Sequence, residues 1–188
     1  MNTKRFYQLM SFITILSMLI TMPQPVLADA VTIYVPDNYA TIQGALDAAS
    51  PGDTVYVRAG TYYEHLIVSK SLTLQGEDKT TTIIDGGGGG YGIHMPSTDN
   101  VVISSFTVKN TYYGIFFTSG ATYNTVSNII ATGSFHGINN HDQSNHHNTF
   151  QNVEVFGNTN SGFSAYAGSD YVKVIDSNIH DNGGSVIQ

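Results

Sequence analysis

From Asn139 to His147 the chain reads Asn-Asn-His-Asp-Gln-Ser-Asn-His-His, and His136 stands just upstream. Imidazoles beside a carboxylate are a donor set for Cu²⁺ or Zn²⁺, and a histidine near neutral pH is also a general base. His136, His141, His146 and His147 are therefore candidate metal ligands. Their spacing fits no standard motif such as His-Glu-x-x-His, and an exposed polar loop would carry the same residues. A second chemistry needs two carboxyl groups on either side of a bond, as in glycoside hydrolysis. Asp142 and Asp170 lie in loops one repeat apart and are the candidate pair, with His141 as a further acid–base candidate.

The third candidate is a set of rings at a fixed interval. Gly92-Ile93, Gly114-Ile115, Gly137-Ile138 and Gly162-Phe163 recur every 22 to 25 residues, each preceded by Tyr91, Tyr113, His136 or Ser161. Such a period marks a stacked architecture, in which one repeat cannot cover its own apolar side and needs the next to do so. With the Ile positions facing inward, Tyr91, Tyr113, His136 and Ser161, across the glycine from them, are read as facing outward on one side. His94, Phe116, Asn139 and Ser164 go outward on the other. Aromatic rings beside hydrogen-bonding groups suit the apolar face and hydroxyl rim of a sugar, so Tyr91, His94, Tyr113, His136 and Asn139 are candidate substrate-binding residues. Stacked rings also stabilise a sheet face without any ligand.

The elements that must position these residues are short strands. The apolar runs are Val-, Ile- and Phe-rich, too short for helices, and interrupted by Gly, Asn and Ser. A second half-repeat gives Ile103/Phe106/Val108, Val126/Ile129/Ala131, Phe150/Val153/Val155 and Val174/Ser177/Ile179. Three short strands per turn describe an all-β, single-stranded parallel β-helix, each coil about 4.8 Å above the last. Ser105, Asn128, Asn152 and Asp176 form a column at a tight bend, where Asn and Asp tolerate left-handed backbone and stacked amides bond from coil to coil. Earlier in the chain, Ile42, Ala45, Leu46 and Ala49 put one apolar stripe on a short helix, suited to closing the open end of a solenoid. Asp85 and Gly86 to Gly90 read as a flexible surface loop.

Residues 1–28 have the order of a secretory signal: Lys4 and Arg5, an apolar run from Phe12 to Ile20, and Val26-Leu27-Ala28 before the cut. The remainder, 29–188, is expected to be one β-helix domain, with a cap over about 29–60 and coils over about 61–188. It holds five Lys and Arg against fourteen Asp and Glu, a net of −9, which argues against nucleic acid as a partner. It contains no run that would span a membrane. No cysteine is present, so there is no disulfide framework. Export would place the chain outside the cell, in the periplasm or at the cell surface. Val186 and Ile187 begin a coil without a closing layer, from which we expect further coils downstream or an end-on partner.

The segments Thr41 to Ala49, Pro51 to Val57, Ala59 to Glu64, Leu72 to Gly76 and Thr82 to Gly86 resemble the N-terminal cap and first coils of the pectin lyase-like right-handed β-helix superfamily. The Asn- and Gly-rich repeats are also similar to the periplasmic accessory proteins of nitrous oxide reductase copper assembly. The resemblance implies a right-handed β-helix that binds or acts on polysaccharide or a cell-surface glycan, with the groove along one outward sheet face. It also leaves open a non-catalytic accessory solenoid that handles metal through the His-rich loop. A pectate lyase-like activity would use Ca²⁺ held by carboxylates and a basic residue taking a proton; Lys109 is the candidate, since Arg58 sits near the cap. The Asn-Thr-Asp and Gly-His-Gly motifs of polygalacturonases are missing, so no catalytic set is complete. A polysaccharide lyase and a glycosidase both stay open.

Overall fold

The apolar residues Val55, Leu74, Ile103, Val126 and Phe150 must all find cover, and they do so as partners from strand to strand in one buried column. The computed structural model describes residues 3–4, 29–166 and 168–184. The proposed signal segment, apart from residues 3–4, and the Val186–Ile187 coil start therefore lie outside the described residues.

Along the chain run β1 (Thr32–Val35), α1 (Ile42–Ala48), β2 (Thr54–Val57), β3 (Gly60–Tyr62), β4 (Leu66–Ile67), β5 (Thr73–Gly76), β6 (Thr82–Asp85) and β7 (Tyr91–Pro96). Then come β8 (Val102–Lys109), β9 (Tyr113–Thr118), β10 (Thr125–Thr132), β11 (His136–Asn140), β12 (Thr149–Phe156), β13 (Phe163–Ala165), β14 (Lys173–Ile175) and β15 (Asn178–His180). Every strand pair is parallel. One sheet has the order β1-β2-β5-β8-β10-β12-β14, with β3, β6 and β15 joining from the side, and the other runs β4-β7-β9-β11-β13. The result is a parallel β-helix of about six turns.

The register is the one the repeat demands. Leu66, Ile93, Ile115, Ile138 and Phe163 are successive partners in the second sheet, and each is buried. Each such side chain contributes roughly 2 kcal/mol through its removal from water.

Of the three faces expected per coil, two merge into one long strand that bends. The bend falls at Ser105, Asn128, Asn152 and Asp176, whose φ values are 65°, 53°, 51° and 49°. Asn152 donates to Asn128 and Asn128 to Ser105, at 3.2 and 3.1 Å, so the expected ladder is present. A second set of polar residues faces inward at the other corners. Asn124 and Asn148 in one column, and Asn158 and Asn182 in another, each accept a backbone N–H with the side-chain oxygen and donate to a carbonyl with the amide nitrogen.

The helix α1 buries Ile42, Ala45 and Leu46 and packs against β1, β2 and β4. Its first N–H groups are held by the Glu64 carboxylate, and Lys70 Nζ donates to the carbonyls of Leu46, Asp47 and Ala49. These two charges complement the helix ends. The glycine run after Asp85 is a pinned turn: Asp85 accepts from Gly87 N, Gly88 N donates to Asn110 O, and Gly90 O accepts from Tyr112 and Tyr113.

Candidate functional site

The glycines at 92, 114, 137 and 162 explain how rings come to line the outer face. None has a positive φ; what each needs is space. A Cβ on Gly114 would overlap the Gly137 carbonyl oxygen, and one on Gly92 would overlap Val108. In each strand the glycine and the Ile after it are both buried while the ring before them is not, and so strict alternation fails there. Tyr91 and Tyr113 consequently sit on the same outer face as His94 and Phe116. This corrects the expectation that the two sets point to different sides.

The rings form one pile. Tyr113 stacks on Tyr91 at 5.8 Å, on Phe116 at 4.3 Å and on His136 at 4.9 Å, with interplanar angles of 20° or less. His94 stacks on Tyr91 at 4.7 Å and on Phe116 at 5.5 Å. Because neighbours cover the ring faces, the middle of the pile offers mainly ring edges outward, not the flat platform a sugar needs. The pile ends at His136. In the next coil its place is taken by Ser161, whose hydroxyl lies 2.6 Å from His136 Nδ1, and the second set passes from Phe116 to Asn139 and Ser164.

Where rings give way to small residues, an open cleft of about 520 Å³ appears. His136 and Tyr113 form one wall, Asn139, Ser161 and Ser164 line the floor, and His141 and Tyr166 stand at the far side with ring planes 80° apart. Asn139 is only 5% exposed, and its Oδ1 has no hydrogen-bond partner among the described residues. An unpaired buried amide oxygen costs about 1–3 kcal/mol, so this one is poised for a donor. Burial holds His136 and His94 below the ordinary imidazole pKa, and the neighbouring His141 ring adds to the effect on His136. Both rings are therefore neutral at pH 7. His136 bonds Ser161 through Nδ1, and Nε2 has no partner among the described residues.

The remaining candidates are placed elsewhere or otherwise engaged. Asp142 Oδ1 accepts from Ser144 N and Oγ, and Oδ2 accepts from Ser119 N. These bonds, the Ser144 hydroxyl first, lower its pKa and keep it ionised, which suits a turn-forming carboxylate better than a proton donor. Asp170 is exposed, and its backbone carbonyl accepts from His147 N. Lys109 lies 3.5 Å from Asp85 at the end of β8, in the other sheet from the cleft.

The four histidines divide between two places. His136 and His141 line the cleft, whereas the His147 ring is sandwiched between Tyr123 and Tyr171 at 4.7 and 4.5 Å, with Nδ1 2.8 Å from His146 Nδ1. No group of three or more His, Asp or Glu side chains able to hold a metal ion is gathered among the described residues. Sequence reasoning missed Tyr166 and Ala165 as cleft residues. It also missed the break at Ser161 as the feature that makes a cavity, although the loss of the ring in the fourth repeat was visible in the alignment.

Among the described residues no helix is long and apolar enough to cross a membrane. Residues 75–188 match the family model described as "Right handed beta helix region". Among curated proteins no significant match is found. The fold is similar to the crystal structure of alginate lyase from Paenibacillus sp. str. FPU-7, with 16% identity and a TM-score of 0.65 over 84% of this chain and 64% of that one. It is also similar to a pectin methylesterase crystallised with a hexasaccharide, with 13% identity and a TM-score of 0.51 over 78% of this chain and 66% of that one. This chain thus spans less than two thirds of the length of either protein. At these identities the likeness is one of fold. The stacked parallel coils and the family match over more than half its length agree, and the chain belongs to the right-handed β-helix family.

Proposed function

We propose that this is an exported β-helix protein that binds polysaccharide, seating a sugar ring in the cleft where the ring pile ends at His136. The observation that carries the reading is the break from His136 to Ser161 beside the unpartnered Oδ1 of Asn139. The break leaves room for one more ring below His136, and Asn139, Ser161 and Ser164 supply hydrogen-bonding groups on the floor. A sugar has the apolar face and the hydroxyl edge that such a place selects. Binding is favoured over cleavage because Asp142 is tied into its own turn and Lys109 is paired away from the cleft. The two structural neighbours, named for acting on alginate and pectin, support a polysaccharide ligand by analogy of fold. The signal-like segment at 1–28 supports export.

The rival reading, metal handling through His136, His141, His146 and His147, draws on the close approach of the His146 and His147 nitrogens. Two nitrogens fall short of the three or four protein ligands a Zn²⁺ site normally requires.

The test is retention on a glycan array. The Tyr113→Ala/His136→Ala protein should lose binding by about tenfold or more, as expected when the central aromatic contacts are removed. Tyr166→Ala, at the exposed rim, should weaken it less. Unchanged retention by the double variant, with an unaltered circular dichroism spectrum, would remove the proposal.

A further inference from the structure

The neighbours in fold are named for acting on alginate and pectin, yet among the described residues no Lys or Arg side chain lines this cleft. The five Lys and Arg residues after position 28 are all accounted for at other places. Arg58 is bound to Asp37 at 2.6 Å, and Lys70 caps α1. Lys109 pairs with Asp85, Lys79 lies in the turn before β6, and Lys173 is on β14 in the other sheet. Two imidazoles, His136 and His141, line the cleft, and burial holds that of His136 neutral at pH 7. The nearest fixed charge is negative: Asp142 shares a shallow depression with His141 and Tyr166 at the cleft's edge, and its hydrogen bonds keep it ionised.

A second opening is lined in part by Tyr112 and Phe135, which stack at 4.8 Å and directly precede Tyr113 and His136 of the first. Its volume is about 640 Å³, and its walls include Asn110, Thr111, Ser134 and Thr159, again with no charged side chain. A polymer spanning the two openings would meet rings, amides and hydroxyls in their linings and Asp142 at the edge of the first.

From this distribution we propose that the ligand is an uncharged glycan and that polyuronates are disfavoured. The inference rests on the polysaccharide reading of the same cleft. Each uronate residue brings a carboxylate that must give up water without gaining a cation, and it does so in a chain of net charge −9 after residue 28. A neutral sugar loses only hydroxyl hydration, which the Asn and Ser side chains replace. Discrimination of this kind comes from what the site lacks as much as from what it offers.

The experiment is calorimetric titration of the full chain at about pH 7.5, where groove imidazoles of depressed pKa are neutral. The probes are cellohexaose, mannohexaose, xylohexaose and hexagalacturonate, at low and at high salt. We expect a neutral hexasaccharide to bind about tenfold or more tighter than hexagalacturonate, with little response to salt. We also expect Ser164→Lys to raise hexagalacturonate affinity at low salt. Equal or tighter binding of hexagalacturonate by the unaltered chain, weakened by salt, would overturn the inference while leaving the polysaccharide reading intact. Failure of all four probes to bind would overturn both.

Discussion

The inner corner at Asn124 and Asn148 and the outer face at His136 are built by the same stacking rule, yet they end differently. At the inner corner each amide reaches back to the preceding coil, accepting one backbone N–H and donating to one carbonyl. At the outer face a column of rings runs through three coils and then stops at a serine. The first column satisfies every group it buries. The second leaves a cavity and an amide oxygen without a partner. In a solenoid, then, an unbroken column gives stability, and a broken one gives a place for something else.

The strongest way to break this comparison is at the corner. Asn148→Ala removes an acceptor from Asn124 N and a donor from Ala121 O, at 3.0 and 2.8 Å, and strands two buried backbone groups. We expect a loss of about 2–4 kcal/mol in urea unfolding. A loss below about 1 kcal/mol would mean that the amide column is not what holds the coils in register.

A substitution at the outer face sharpens the contrast. Ser161→Tyr should continue the ring pile beneath His136, changing stability by no more than about 1 kcal/mol while glycan binding falls about tenfold or more. If binding survives a filled notch, the sugar site is elsewhere on the molecule.

The smallest expected effect is on the pH dependence of stability. His94 and His136 have depressed pKa values in the folded chain and return to about 6.5 when it unfolds. Below that value the unfolded state binds more protons, so stability falls as the pH drops from about 6.5 toward the folded values. His180 has the opposite sign: hydrogen bonding to Asp181 raises its pKa, so its contribution is present below about 6.5 and lost as the pH rises through the folded value. His94→Gln/His136→Gln should therefore flatten the decline in urea midpoint between about pH 8 and 5, and His180→Gln should steepen it. Identical slopes in all three proteins would show that the groove histidines titrate as in water.

Much of the fold was legible because a repeat converts spacing into contact. Ile93, Ile115, Ile138 and Phe163 could be placed in one column from their intervals, and the bend at Asn128 and Asn152 followed from residues that accept left-handed backbone. The apolar stripe Ile42, Ala45, Leu46 and Ala49 likewise identified α1. The site was less legible. Two separate outward sets were expected, and consecutive burial of the glycine and the Ile after it brought them onto one face. His146 and His147 looked equivalent to His141 in the sequence, but a corner ring stack holds His147 between Tyr123 and Tyr171.

The sequence by itself determined the period, the all-β class, the inward columns and the residues that turn the corners. These depend on local backbone preference and on apolar residues recurring at equal intervals, both of which are written along the chain. The tertiary structure alone decided that the rings cover one another's faces, that Asp142 and Lys109 are already engaged, and that Asn139 lacks a partner beside an open cleft. Those outcomes depend on which side chains from different coils arrive at the same point in space, and spacing along the chain does not carry that information across a corner.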